Sequence, residues 1–149
     1  MGLKYSKQEI NNIDENVPLL NGKKTLKNKN LKINDLDNNG RNLLHSICFN
    51  NPKIETILLL LNNNTDVNAK CKDGNTPLHL ICRSHPKIEI ISSLLEYGTN
   101  VNAKDENDWT PLHLICYNHP KIEIILLLLK NNADVNAKGK NDLTPLHLI

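Results

Sequence analysis

Aromatic residues are scarce in this 149-residue chain, at 3% of positions, so any buried core has to be aliphatic. Long hydrophobic runs are missing too. No apolar stretch approaches the roughly 18 residues of a membrane span, and the N-terminus lacks the apolar segment of a secretory signal. The expected compartment is therefore cytoplasmic. A strong excess of one charge is also absent, since the net charge is +2. That figure hides a division: residues 1–32 hold seven lysines against Glu9, Asp14 and Glu15, while the remainder is slightly acidic. Phosphate binding wants a clustered basic face, so the near-neutral body predicts no nucleic-acid partner. Of the four cysteines, Cys48, Cys82 and Cys116 recur at one fixed step. Packed helices lie about 8–10 Å apart, whereas a disulfide needs Cα atoms within about 7 Å, so these are expected to be reduced thiols in a core.

What is present is a repeat. Thr-Pro-Leu-His-Leu-Ile-Cys at 76–82 returns at 110–116 and begins again at Thr144, with a worn copy at 42–48. His45, His79, His113 and His147 stand 34 residues apart, and Pro52, Pro86 and Pro120 keep the same step. A fixed period of this size means stacked supersecondary units, none able to bury its apolar face alone. In register the units are 37–70, 71–104 and 105–138, with a partial fourth at 139–149. Asparagine doublets and a triplet at 62–64 read as compositional bias, not function.

Each unit opens on a turn in which Gly40, Gly74, Asp108 and Asp142 are equivalent. Gly, Asn and Asp tolerate a left-handed backbone, so positive φ is expected there. Thr76 and Thr110 are expected to cap first helices at about 77–83 and 111–117, with Pro77 and Pro111 at the first helical position. After a break, Pro52, Pro86 and Pro120 are expected to open a second, amphipathic helix, in which Ile122, Ile125, Leu126 and Leu129 follow helical spacing. That helix should end in a left-handed cap near 62–64, Gly98 and 131–132. A short extended piece, Asp-Val-Asn-Ala at 66–69, links to the next turn. Residues 1–32 do not share the pattern and are expected to form a basic, mostly mobile arm with a short helix at 4–13.

Thr-Pro-Leu-His-Leu, Ile-Glu-Ile-Ile with Leu-Leu, and Asp-Val-Asn-Ala-Lys, taken together over 33–149, resemble the ankyrin repeat. The period of 34 departs from the usual figure of about 33. The extra residue falls in the loop between the helices, where it leaves stacking intact. The resemblance implies an all-α, right-handed ankyrin-repeat solenoid of helix-turn-helix units joined by hairpin-like turns, three full repeats plus a truncated fourth. It also implies a non-enzymatic, cofactor-free scaffold that binds partner proteins on its concave face. Carried over by register, the partner-binding residues are Arg41, Lys72, Asp73, Asn75, Glu106, Asn107, Trp109, Lys140 and Leu143 at the turns, and Phe49, Arg83 and Tyr117 on the first helices. Trp, Tyr and Arg dominate interface hot spots, which makes Trp109, Tyr117, Arg83 and Arg41 the expected anchors.

Three other signals need weighing. His-x-x-Cys at 45/48, 79/82 and 113/116 looks like a zinc half-site, yet four ligands must converge at about 2.0–2.3 Å, which neighbouring helices do not give. The same histidines, in the resemblance, bond the capping threonine and the next loop. No acid recurs at a fixed offset to orient a nucleophile and base, so catalysis is not expected. Met-Gly-Leu-Lys-Tyr-Ser at 1–6 fits an N-myristoylation pattern at Gly2, and the arm's lysines could supply the second membrane signal. A membrane-attached adaptor is thus the alternative reading, and a piece of a larger array a third. Leu146, Leu148 and Ile149, lacking a second helix to cover them, predict self-association through the C-terminal end.

Overall fold

The computed structural model describes residues 33–149, together with the backbone of Leu19–Leu20 (β1) and Lys23–Lys24 (β2). β1 and β2 pair antiparallel, Leu19 with Lys24 and Leu20 with Lys23, on either side of the Asn21-Gly22 turn signal. The helix expected at 4–13 and the expected mobility of the arm lie outside the described residues.

Six helices follow: α1 Leu43–Phe49, α2 Ile54–Leu61, α3 Pro77–Ser84, α4 Ile88–Glu96, α5 Pro111–Asn118 and α6 Ile122–Lys130. Two 3-10 turns, Lys140–Asp142 and Pro145–Leu148, come last. First helices pack in the series α1, α3, α5 and then the Pro145–Leu148 turn, and second helices in the series α2, α4, α6. The layers between units are mainly aliphatic, with Leu43, Leu44, Ile57, Leu60, Leu78, Ile81, Ile90 and Leu94 fully buried.

Local chemistry explains these boundaries. Thr76 sits in extended backbone as N-cap of α3, with Pro77 in the first turn, where its missing N–H is no loss. In the worn first copy Asn42 does the same work, its side chain accepting from the His45 N–H. The second helices begin later than the prolines suggested. Lys53, Lys87 and Lys121 are their N-caps, one residue after each proline, and none makes a side-chain cap bond. The lysine after each proline keeps extended backbone, with ψ of 143°, 123° and 117°, so the first helical turn starts beyond it. The left-handed closures appear where expected, at Asn64, Gly98 and Asn132, with φ of 57°, 81° and 65°.

The unit turns also behave as expected: Gly40, Gly74, Asp108 and Asp142 have φ of 71°, 70°, 58° and 57°. Gly74 is under a second constraint, because a Cβ there would lie 2.8 Å from the Glu106 backbone nitrogen of the next turn. Gly74→Ala is therefore expected to cost about 2–3 kcal/mol, combining left-handed strain with a backbone clash. Asp108→Gly should stabilise by up to about 1 kcal/mol, because the exposed Lys104–Asp108 pair at 3.7 Å contributes little. Urea denaturation of both variants, giving opposite shifts of midpoint, checks the pair.

Four ladders of hydrogen bonds run along the stack at the repeat step. Turn bonds turn, with Lys72 N–H to Asn39 C=O at 2.9 Å, Glu106 to Asp73 at 3.1 Å and Lys140 to Asn107 at 2.8 Å. His45, His79 and His113 use Nε2 to reach the Asn75, Trp109 and Leu143 carbonyls at 3.0, 3.1 and 3.1 Å. Lys70 and Lys104 donate to the Lys104 and Lys138 carbonyls at 2.8 and 2.9 Å. Asparagine forms the fourth ladder, which corrects the compositional reading. Asn34, Asn68 and Asn102 each accept from one backbone N–H of the next unit and donate to one carbonyl there, at 2.7–3.1 Å. A carboxamide is suited to this role because it offers a donor and an acceptor from one planar group.

Candidate protein-interaction face

The histidine ladder positions the face. In α3 and α5 the ring Nδ1 accepts from the backbone N–H of Thr76 or Thr110 at 3.1 Å, so the proton sits on Nε2 and is donated to the next turn. His79 is fully buried, and burial pulls its pKa down to about 4, the bond to Trp109 opposing but not matching that effect. Burial also lowers His45 and His113 and raises the Cys48, Cys82 and Cys116 thiols. Neutral imidazoles used as struts and protonated buried thiols make no nucleophile and base pair, and all four cysteines are free. Among the described residues no three His, Cys, Asp or Glu side chains are placed to hold a metal ion.

Each histidine holds the turn that carries the outward-facing side chains of the next unit. In the first unit the Arg41 guanidinium lies over the Phe49 ring, 5.6 Å from its centroid. In the third, Trp109 stacks on His113 at 6.0 Å and meets Tyr117 edge-on at 5.3 Å. Gly139 clears the indole: a Cβ there would come within 2.7 Å of Trp109 Cδ1. Arg83 reaches from the second unit to the Asp105 carboxylate at 3.3 Å. The other Asp105 oxygen accepts from the Asn107 and Trp109 N–H groups at 2.8 and 3.0 Å.

These groups frame a cleft of about 270 Å³, lined by Arg83, Asp105, Asn107, Trp109, Leu114, Tyr117, Asn118, Lys140, Asn141 and Leu143. Six of the residues expected from sequence therefore meet in one place: Arg83, Asn107, Trp109, Tyr117, Lys140 and Leu143. Lys72, Asp73 and Glu106 are exposed at the turns, and Phe49 with Arg41 forms a separate site in the first unit. Asn75 departs from expectation. It is only 3% exposed, although it shares the register position of the half-buried Trp109, and its carbonyl accepts from His45. Asp105 and Gly139 were not anticipated. The available signal was Asp37 and Asp105 opening equivalent turns, since an aspartate there bonds the N–H two residues on. Gly2 lies outside the described residues.

Fold and surface define a class: a helical repeat stack with a rigid ridge of turns and a polar, aromatic-anchored cleft. The family model for ankyrin repeats in three copies matches residues 11–105 and 84–149, and the chain belongs to the ankyrin repeat family. The first match starts ahead of Ile33, where the 34-residue register becomes legible. No curated protein matches the chain. Ankyrin repeats in general mediate protein–protein interaction and are typically non-enzymatic. No described helix is long and apolar enough to cross a membrane.

Proposed function

We propose that the protein is a cytoplasmic, non-enzymatic scaffold that docks a partner protein on its concave face. The observation that carries this reading is the cleft between the third and fourth turns. There one half-buried Trp, one Tyr exposed at 61% and an exposed Lys140 stand beside a paired Arg83. Rigid aromatic rings rimmed by hydrogen-bonding side chains are what hot spots are made of, because they bury large area at small entropic cost. The test is affinity capture from the native cell with wild type beside Tyr117→Ala and Lys140→Glu, both at exposed side chains and both expected to leave the stack folded, Tyr117→Ala losing only its edge contact with Trp109. Partners retained by wild type and lost from both variants are expected. Equal recovery on all three would sink the reading.

The membrane-attached alternative rests on a different observation, Gly2 in its acylation pattern followed by the seven lysines of 1–32. Mass spectrometry of the mature N-terminus decides it: a myristoyl mass on Gly2 supports attachment, and an unmodified terminus removes it.

A further inference from the structure

The cleft between the third and fourth turns presents one sign of charge to solvent. Of the residues that line it, two are cations, Arg83 and Lys140, and one is an acid, Asp105. Both cations are exposed, whereas the Asp105 side chain is 2% exposed and already engaged, one oxygen accepting the Asn107 and Trp109 N–H groups and the other meeting Arg83. A ligand entering the cleft therefore meets positive charge. Lys72 and Glu106, at the register position of Lys140 in the two preceding turns, are exposed too, so Lys140 faces outward because of its place in the turn. The exposed acids nearby do not cancel it. Asp108 and Asp142 stand 3.7 and 3.2 Å from Lys104 and Lys138, and Asp73 and Glu106 do not line the cleft.

An anion of single charge fits this arrangement. The Arg83 bond to Asp105 is made through Nη2, and a guanidinium carries five N–H donors in a planar fork, so an oxygen arriving from solvent still meets donors. A carboxylate balances the one positive charge in excess. A phosphate, at about −1.5 to −2, would overshoot it and set a second negative charge against buried Asp105. Beside the cations, Trp109, Tyr117 and Leu143 form an apolar wall that takes an aliphatic or aromatic side chain. Asn107 and Asn141 add carboxamides, each a donor and an acceptor in one group. Extended backbone needs such partners, whereas a helix satisfies its N–H and C=O groups internally. The volume of about 270 Å³ lies below the usual range of small-molecule pockets, which begins at about 300 Å³, so the cleft holds side chains of a short segment and not a folded element. We infer that the partner presents an extended segment in which an Asp or Glu, bound between Arg83 and Lys140, adjoins an apolar side chain packed on Trp109 and Tyr117. This rests on the concave-face reading and specifies its ligand.

The probe is a phage-displayed library of random linear peptides, selected on the full 149-residue protein, with the binders synthesised and their affinities measured by fluorescence anisotropy. Binders should share an acidic residue close to an apolar one. Changing that acid to its amide should weaken binding at least about tenfold. Lys140→Glu in the protein should impose a similar loss and abolish the difference between acid and amide, while Lys140→Arg should keep both binding and preference. Tyr117→Ala should weaken the acid and amide peptides by the same factor. Binders that Tyr117→Ala loses but that carry no acid would overturn the inference and leave concave docking standing. Tighter binding with phosphoserine at the acid position overturns it as well. So does a selection that yields no binder sensitive to Lys140→Glu, and docking itself is then judged by the affinity capture above.

Discussion

Acidification from about pH 7.5 to about pH 4 is expected to cost the fold about 3 kcal/mol through His79 alone. In the native stack this ring is neutral: Nδ1 accepts from Thr76, Nε2–H is spent on the Trp109 carbonyl, and burial holds the pKa near 4 against an ordinary 6.5. The unfolded chain takes up the proton first, so it binds more protons than the native state throughout that window, and stability rises with pH. The contribution is complete above 6.5 and disappears as pH falls through about 4, with about 2 kcal/mol gone by about pH 5. His45 and His113 are shifted the same way and steepen the fall. Urea denaturation as a function of pH measures it, and His79→Gln serves as control. The variant should be weaker at neutral pH and clearly less sensitive to acid. A wild-type profile that is flat between about pH 7 and about pH 4.5 would show that the imidazoles are not neutral struts.

Asp105→Ala should remove about 2–4 kcal/mol, because it strips the acceptor from two backbone N–H groups in a side chain that is 2% exposed. Arg83 adds little to that figure, since its side chain is 41% exposed and the pair is screened by water. Arg83→Ala should accordingly cost under about 1 kcal/mol. Asp105→Asn, which keeps a carbonyl acceptor, should recover about half of the loss. The turns built on Cys71 and Gly139 lack this carboxylate and still close, with Gly74 N–H to Cys71 C=O at 2.9 Å and Asp142 N–H to Gly139 C=O at 3.1 Å. The alanine variant should therefore remain folded with a loosened third turn. Trp109 is the only tryptophan, so a red shift of its emission reports that loosening directly. Unchanged emission with full loss of stability would mean that the turn is held by something other than Asp105.

Much of this architecture is legible because it is local and repeated. Positive φ at Gly40, Gly74, Asp108 and Asp142 follows from residue type at one register position, and the Thr76 cap follows from the Thr-Pro-x-His pattern. The second-helix starts were misplaced because proline is compatible both with the first helical turn and with the extended residues before it. Only packing of the break chose between them. The asparagine ladder was hidden by abundance: Asn34, Asn68 and Asn102 look like any others until the residues 30 and 32 positions away are brought beside them. The site divides in the same way. Trp109, Tyr117 and Arg83 stood out by chemistry, whereas Asn75, at the same register position as Trp109, proved to be interior.

Sequence by itself determined the unit, its period, its caps and turns, and the family, because each depends on residues a few positions apart and is written three times over. Tertiary structure decided what neighbouring units make of one another. It turned His79 into a neutral strut with a depressed pKa and gathered Arg83, Trp109, Tyr117 and Lys140 around one cleft. The reason is that burial and desolvation belong to the interface between units. That interface joins residues about one repeat apart, at distances that only the assembled stack defines.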